Sequence, residues 1–417
     1  MEFISILTSI GAFVVAIGVL VTIHEFGHYW VARKMGVKVL RFSVGFGKPL
    51  LIKRMGEDQT EYVLASIPLG GYVKMLDERE GEVDPSELER SFNRKNVYKR
   101  FAIVAAGPIF NFLFAIVAYY LIYLAGVAGV KPVIGEVSVP SPAYSAGVMP
   151  RDRILSVNGI ETPSWEKARF IMLEEAVGEQ QLILRVQSED LQIQDRIIDI
   201  SNLGLLQEEQ IDLMGELGIK DWRPDIPPVI DKVIPGGAAE SADVQPGDKI
   251  ISLDGESISN INRWVELIRA NPLRAMSLVV NRNGETRTLT ITPNQKQEDG
   301  EVYGFIGVQN LIEIPREIRD EMTVTERYGP VEALFESMDK TWRMSWLTLR
   351  VLGKLVIGEA SVKNLSGPIT IARYAGITAS IGLEQFLGFL AIISISLGVL
   401  NLLPVPLLDG GHLFYYL

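Results

Sequence analysis

The chain has 417 residues, which gives room for two to four domains. Its composition, 47% hydrophobic and 22% charged residues, suggests a few membrane spans attached to soluble modules. Its net charge of −11 argues against nucleic acid as a partner. Cysteine is absent from the sequence, which excludes disulfide frameworks and cysteine-ligated metals, and the only histidines are His24, His28 and His412.

Three stretches without Asp, Glu, Lys, Arg or His are long enough to cross a bilayer, which takes about 20 apolar residues. They are residues 3–23, 101–130 and 385–408. The first lacks the basic start and the small-residue cleavage site of a signal peptide, so we expect it to be retained.

The loop between the first two spans, residues 33–100, carries 14 Lys and Arg against 10 Asp and Glu. The positive-inside rule predicts that this loop is cytoplasmic and that the long region 131–375 lies on the outer side. His24 and Asp409 are then both expected at the cytoplasmic ends of their spans.

The first span runs into the sequence HEFGH, residues 24–28. On a helix, His24 and His28 lie one turn apart on one face, so both can direct a nitrogen at one metal ion. Glu25 is offset by about 100° and can reach a metal-bound water as a proton acceptor without being a ligand. The alternative is a hydrogen-bonded cluster at the helix end, but ionisable groups in a span are costly to bury, which favours a functional site.

Two segments that follow the motif, residues 39–53 and 60–76, alternate in polarity like strands and are broken by glycines. The simplest interpretation is an ordinary cytoplasmic β-hairpin.

Residues 131–312 contain an internal repeat: SAGVMPRDRILSVNGI (145–160) aligns with SADVQPGDKIISLDGE (241–256) at an offset of 96 residues. Each copy predicts a loop, a short helix, a strand, an Asn-Gly or Asp-Gly turn, a helix and another strand. This order resembles the PDZ domain, whose groove captures extended peptides by β-augmentation. The alternative is a pair of small modules that act only as a spacer or a steric gate.

Residues 329–356 have apolar and aromatic side chains at helical spacing with charges between them. This pattern predicts an amphipathic helix in the membrane interface, with Trp342 and Trp346 as anchors. Packing of this helix against the exported modules is the alternative.

The third span ends in NLLPVPLLDGGH, residues 401–412. Its prolines break helical hydrogen bonding, so Asp409 can be presented from non-helical backbone at membrane depth. Because a catalytic zinc takes three protein ligands and keeps one open position, the third ligand is expected to be His412 or a carboxylate such as Asp409.

Taken together, HEFGH in the first span, AAGPIFN in the second and NLLPVPLLDGGH in the third, with the tandem modules between the last two, resemble the site-2 protease family over essentially the whole chain. The resemblance implies an intramembrane zinc metalloprotease with Glu25 as catalytic base. It implies Zn²⁺ ligands at His24, His28 and Asp409 and so favours Asp409 over His412.

Two asparagines are further candidates from the same resemblance. Asn401 matches a family asparagine that helps to hold the substrate. Asn111, in the second span, is a candidate substrate contact, and its alternative role is a hydrogen bond between helices.

The resemblance also implies partners and location. The substrates would be single-pass membrane proteins, including an anti-sigma factor already shortened by another protease and signal-peptide remnants, cleaved in the bilayer of the bacterial inner membrane near its cytoplasmic face. The PDZ tandem would lie in the periplasm and exclude substrates with bulky exported domains. Residues 39–76 would form a membrane-associated β-structure whose edge pairs with an unwound substrate helix. The family has a further span after the LDG motif, so either the chain continues beyond Leu417 or that span is absent.

We therefore predict a multi-pass α-helical membrane protein with a zinc site between transmembrane helices, a membrane-associated β-structure and two exported PDZ-like α+β domains. The predicted parts are transmembrane helix 1 (1–35), the cytoplasmic-side β-structure and loop (36–96), transmembrane helix 2 (97–130), two PDZ-like domains (131–221 and 222–312), a linker with the amphipathic helix (313–375) and transmembrane helix 3 (376–417).

Three rival functions differ in what they require. A non-catalytic PDZ membrane scaffold needs neither zinc nor Glu25. A metal transporter with a His/Asp relay has little room for a path in three spans. A soluble-type zinc peptidase is disfavoured because the motif lies in a span.

Overall fold

The computed structural model describes residues 2–201, 203, 212–224, 226, 228–298, 301–311, 316–361 and 367–416. These residues form two compact units. The first unit contains Met1–Pro132, Val137–Lys220 and Val324–Leu417, and the second contains Val133–Glu136 and Asp221–Thr323. The domain boundaries given above remain predictions, and residue 312, the expected end of the second module, lies outside the described residues.

Helices and strands alternate along most of the described chain. The helices are α1 Glu2–Lys34, α2 Val97–Ala125, α3 Pro142–Ser145, α4 Trp165–Ala176, α5 Leu213–Leu217, α6 Ala238–Ser241, α7 Ile261–Ala270, α8 Arg316–Met322, α9 Pro330–Val356, α10 Pro368–Ile381, α11 Leu383–Leu402 and α12 Asp409–Tyr416. The strands are β1 Val39–Met55, β2 Thr60–Met75, β3 Val127–Val130, β4 Ile134–Val137, β5 Arg153–Val157, β6 Ile160–Glu161, β7 Gln181–Gln187, β8 Ile193–Asp199, β9 Ile219–Asp221, β10 Val229–Val233, β11 Lys249–Leu253, β12 Glu256–Ser257, β13 Met276–Arg282, β14 Glu285–Ile291, β15 Asn294–Glu298, β16 Glu301–Phe305, β17 Val308–Leu311 and β18 Thr323–Glu326.

Three helices in the described part of the chain are long and apolar enough to cross a membrane, namely Leu7–Lys34, Val97–Ala125 and Leu383–Leu402. The first continues without interruption through the HEFGH motif. The expectation that the second span reaches residue 130 is wrong, because Gly126 adopts a φ of 94° and ends α2. Residues 127–130 instead form β3, which pairs with β18.

The third spanning helix ends at Leu402, before the two prolines of the NLLPVPLLDGGH segment. The predicted break in helical structure is confirmed, but the span ends at Leu402 and not at residue 408. The expectation that Asp409 lies on non-helical backbone is wrong, because Asp409 begins the short helix α12.

Close contacts between helices hold the apolar part of the first unit together. Gly27 of α1 faces the main chain of Ala106 in α2, where a Cβ would clash. The Ser394 hydroxyl of α11 donates a hydrogen bond of 2.9 Å to the Asn111 carbonyl of α2. Gly376 of α10 lies against Ser9 of α1 in the same manner. Small residues permit such short separations between spanning helices, so α1 and α11 are both fixed against a neighbour.

The strands β1 and β2 confirm the strands predicted for residues 39–76, but their pairing is more elaborate than a simple hairpin. Residues 41–44 of β1 pair with residues 61–64 on one side and with residues 71–74 on the other, while residues 51–55 pair with residues 60–64. The segment 71–75 therefore forms one edge of a small antiparallel sheet, and no strand of the described chain pairs with its outer side.

The first copy of the repeat lies in the first unit and has the predicted order of elements. Its strands are arranged β6-β5-β7-β8, with α4 packed against β5 and β7. Asn158 and Gly159 form the turn between β5 and β6 with φ values of 47° and 82°, which confirms the predicted Asn-Gly turn.

The amphipathic helix α9 is confirmed and packs against the first repeat copy. Lys167 of α4 pairs with Glu336 at 3.3 Å, and Arg343 pairs with Glu174 at 3.1 Å. Trp342 of α9 is exposed, as an interfacial anchor would be. Both interpretations of residues 329–356 thus find support in the same helix.

The second unit contains the second copy of the repeat. Its sheet has the order β14-β13-β11-β10-β17, and β12 pairs with β11. Trp264 of α7 and Leu278 of β13 lie in its buried core. Asp254 and Gly255 form the predicted Asp-Gly turn, with φ values of 48° and 84°.

Candidate metal centre and active site

Three ionisable side chains converge at the motif end of α1. The Nε2 atoms of His24 and His28 lie 3.2 Å apart. Asp409 places its Oδ2 at 3.1 Å from Nε2 of His24 and 3.4 Å from Nε2 of His28. The structure therefore brings the three predicted ligands together from the first and third predicted spans.

The backbone that follows α11 explains how Asp409 reaches the two histidines. Asp409 is the first residue of α12, and the two glycines that follow it lie against the carbonyls of the loop before it. A Cβ at Gly410 would clash with Leu403, and one at Gly411 would clash with Val405. The DGG sequence therefore lets the loop fold back so that the carboxylate is presented from the start of a helix.

The hydrogen bonds of the two imidazoles determine which nitrogen carries a lone pair. His28 places Nδ1 at 2.8 Å from the carbonyl oxygen of Ile103. Because a carbonyl only accepts, Nδ1 must carry the hydrogen, and Nε2 of neutral His28 keeps its lone pair.

The side-chain amide of Asn111 lies against the other imidazole. Its Nδ2 is 3.1 Å from Nδ1 of His24, while its Oδ1 is buried without a partner in the described structure. Amide nitrogen and oxygen are assigned from hydrogen bonds, and in the reverse orientation Oδ1 would lie against Nδ1 of His24. In that orientation Oδ1 accepts from Nδ1–H of His24 and the lone pair of Nε2 faces the cluster, which is the arrangement that a metal ligand needs.

The resulting cluster presents three acceptor atoms to one point. Oδ2 of Asp409 is buried and makes no hydrogen bond with the described residues. One proton can bridge only one of the three pairs of atoms, and the other two pairs remain repulsive. The three ligand atoms lie within 4.8 Å of one another, so the donor set fits a metal ion with two nitrogen ligands, one oxygen ligand and an open position.

Glu25 lies beside this cluster without belonging to it. Both line a cavity of about 690 Å³, together with the edge segment 72–75 of β2. Gly71 brings that segment against α1, since a Cβ there would meet Val21 and the side chain of Glu25. The proton acceptor, the ligand atoms and an unpaired sheet edge thus share one cavity.

The histidine rings also require a glycine that the sequence analysis did not single out. A Cβ at Gly107 of α2 would clash with the ring of His28 and approach the ring of His24. Gly107 lies in the AAGPIFN motif of the second span and Ile103 lies about one helical turn before it, so that motif was the sequence signal that could have pointed to both residues. Arg79 and Arg100 line the same cavity and were likewise not predicted.

The remaining predicted residues occupy different positions. His412 lines the cavity but does not belong to the three-residue cluster. Asn111 is fully buried, and the contact it makes is with His24. Asn401 lies near the end of α11 and is not among the residues that line the cavity.

Comparison with known proteins places the chain in a family. The model of Peptidase family M50 matches residues 12–417. The chain is 44% identical over 413 residues to "Regulator of sigma-E protease RseP" of Escherichia coli (strain K12), which covers 99% of this chain and 90% of that protein. It is 42% identical over 410 residues, covering 97% of this chain and 89% of the relative, to a Vibrio cholerae protein whose name proposes a zinc metalloprotease.

A solved PDZ domain of an SdrC-like protein from Listeria monocytogenes is 14% identical, with a TM-score of 0.19, and the match covers 22% of this chain and 94% of that domain. A TM-score this low carries no weight for the fold. The family match and the full-length relatives confirm the resemblance inferred from the three motifs. The chain is a peptidase that belongs to family M50, the site-2 proteases.

Proposed function

We propose that the protein is an intramembrane zinc endopeptidase that cleaves peptide bonds within the transmembrane segments of single-pass membrane proteins. The observation that carries this proposal is the cluster of three converging acceptor atoms on His24, His28 and Asp409 at the end of a spanning helix. Such a cluster is costly in an apolar segment unless a cation completes it.

Zinc fits the two imidazole nitrogens and the carboxylate oxygen, and the name of the Vibrio cholerae relative supports it. When bound, zinc acts as a Lewis acid and lowers the pKa of water from about 15.7 to about 7. Asn111 and the Ile103 carbonyl hold the imidazoles with their Nε2 atoms turned toward the cluster. Glu25 accepts the proton of the attacking water and returns it to the departing amine.

A membrane helix hides its peptide bonds in internal hydrogen bonds, so its cleavage requires an extended segment. The segment 71–75 of β2 has an unpaired outer edge in the described chain and lines the cavity that holds Glu25. An extended substrate segment can replace its helical hydrogen bonds with bonds to this edge. We assign Asn401 to the same task of holding the substrate, as the family resemblance implies.

The proposed location follows from charge and hydrophobicity. Three candidate spans support a multi-pass protein of the bacterial inner membrane, and the positive loop 33–100 supports an active site near the cytoplasmic face. The two repeat copies would then lie in the periplasm as PDZ-like domains, and the order of their elements supports that assignment. There they would exclude substrates with bulky exported domains.

The names of the relatives point to a substrate. Several carry the name regulator of sigma-E protease, which supports an anti-sigma factor as the substrate here. Its shortening by a first protease and the signal-peptide remnants are what the family resemblance implies, and both would be single-pass segments with a small exported part.

The test is cleavage of a tagged single-span substrate without a bulky exported domain by the purified protein in detergent, with Glu25→Gln as the matched variant. The proposal predicts cleavage by the wild type and a loss of at least about 10³-fold in Glu25→Gln, with zinc content unchanged. Equal cleavage by both proteins would show that Glu25 is not the base, and cleavage insensitive to a zinc chelator would contradict the metal site.

A further inference from the structure

A second cavity lies in the first unit, at the opposite end of α2 from the metal-ligand cluster. Its volume is about 670 Å³, and its walls come from α2, α4, α9, α10 and α11. Ligand sites in proteins have volumes of about 300–1,000 Å³, so this cavity is large enough for a small molecule or for part of a lipid.

One half of the cavity is apolar and is formed by the spanning helices. Ile122 of α2 and Phe389 and Ile392 of α11 line it. Tyr119 of α2 also lines it, and this residue is only 6% exposed. The Tyr119 hydroxyl has no hydrogen-bond partner among the described residues. A buried hydroxyl without a partner is costly, which points to a bound ligand that supplies the partner.

The other half is charged. The Lys340 ammonium of α9 makes a cation–π contact with Phe170, 3.9 Å from the ring centroid, and among the described residues neither Lys340 nor the exposed Glu166 forms an ion pair. Burial lowers the pKa of Lys340, and Glu166 partly offsets this effect. The neighbouring Lys167 and Arg343, in contrast, are paired with carboxylates.

The charges of the lining restrict the ligand. Five carboxylates and three basic side chains line the cavity, so a purely anionic headgroup is disfavoured. A group that brings both a phosphate and an ammonium complements the Lys340 ammonium and the Glu166 carboxylate together. The exposed Trp342 and Trp346 on the same helix are typical of a helix at the level of lipid headgroups.

We propose that this cavity binds one phospholipid with a phosphoethanolamine headgroup. The phosphate lies at Lys340, the ammonium lies at Glu166, and one acyl chain follows the apolar wall of α2 and α11. The bound lipid would fill the space between α4 and α9 of the exported part and the spanning helices of the same unit. This inference concerns binding alone and holds whether or not the metal centre is a protease.

The experiment is native mass spectrometry of the full chain released from nanodiscs that contain equal amounts of phosphatidylethanolamine and phosphatidylglycerol. We expect one phosphatidylethanolamine to be retained per chain. Lys340→Gln should weaken its retention by about ten-fold or more, because a charge-assisted bond to the phosphate is lost. Lys354→Gln, a substitution on the same helix outside the cavity lining, serves as the control and should retain the lipid.

Glu166→Gln provides a second variant at an exposed residue, which is not expected to disturb folding. It should reduce the preference for phosphatidylethanolamine over phosphatidylglycerol by a similar factor. Equal retention of both lipids by wild type and variants would overturn the proposal, as would equal retention of soluble phosphoethanolamine. Displacement of the lipid by a single-span substrate whose binding depends on Lys340 and Glu166 would identify a substrate site instead.

Discussion

Two clusters of buried ionisable groups in this molecule differ in whether the protein itself supplies a cation to the carboxylates. In the second unit, the fully buried Asp248 accepts two hydrogen bonds from Arg282, at 2.7 and 2.8 Å, and Arg282 also contacts Asp243. At the end of α1, the side chains of His24, His28 and Asp409 direct three acceptor atoms at one point. The first cluster contains its own cation, since Arg282 pairs with both carboxylates of the loop that holds Asp243 and Asp248. The second is complete only when a cation enters, which distinguishes a functional site from a structural ion pair.

The largest expected effect is at Asp409. Asp409→Asn removes the only charged ligand of the proposed site, so zinc affinity should fall by more than about 100-fold and proteolysis should disappear. Zinc content and cleavage of a single-span substrate measure both effects. His412→Gln is the matched control because His412 lines the same cavity outside the cluster, and loss of zinc in that variant instead would contradict the ligand assignment.

The second-largest effect is expected at the buried pair of Arg282 and Asp248. Arg282→Leu leaves the Asp248 carboxylate buried without its counter-charge and should destabilise the second unit by about 3–5 kcal/mol. Hydrogen exchange of peptides within 229–291 measures this, while zinc content should not change. Arg287→Leu, at an exposed pair with Glu285, should have little effect, and equal destabilisation by both variants would refute the special role of the buried pair.

A smaller effect is expected at Asn111. Asn111→Leu removes the hydrogen bond that orients His24 and should lower zinc affinity by about 10–100-fold. Asn111→Asp keeps an acceptor for Nδ1–H and should retain most of the affinity. Competition with a chelator measures zinc affinity. If Asn111→Leu raises KM for substrate and leaves zinc affinity unchanged, Asn111 is a substrate contact, as the sequence analysis suggested.

The smallest effect is expected at an exposed ion pair, whose contribution to stability serves as a reference for that of the buried pair. Arg185 pairs with Asp195 at 2.9 Å and lowers the pKa of the Asp195 carboxyl. Any contribution to stability is therefore present above the ordinary carboxyl pKa of about 3.9 and is lost as pH falls through the lowered value. Asp195→Asn should leave thermal unfolding at pH 7 almost unchanged, and a large shift would show that the pair is more than a surface contact.

Local patterns in the sequence were sufficient for much of the fold. The i, i+4 spacing predicted that His24 and His28 share a face, and the repeat predicted the turns at Asn158 and Asp254. The prolines after Leu402 predicted the break that presents Asp409. In each case the decisive residues lie within a few positions of one another, where backbone geometry alone sets their relation.

Features that depend on contacts between distant segments were not predictable in this way. The positions of Asn111 and Gly107 against the histidines require the packing of α2 on α1. The Arg282–Asp248 pair joins residues 34 positions apart. Helix α10 was not predicted because its 14 residues are too few for a span, and its contact with α1 depends on Gly376 lying against Ser9.

Anomalous diffraction at the zinc absorption edge, from crystals of the purified full chain, tests the central claim most directly. The account predicts one peak within bonding distance of Nε2 of His24, Nε2 of His28 and Oδ2 of Asp409, with an open position facing Glu25. A peak held by His412 in place of Asp409 would contradict the ligand set. The absence of any peak from catalytically active protein would contradict the zinc site itself.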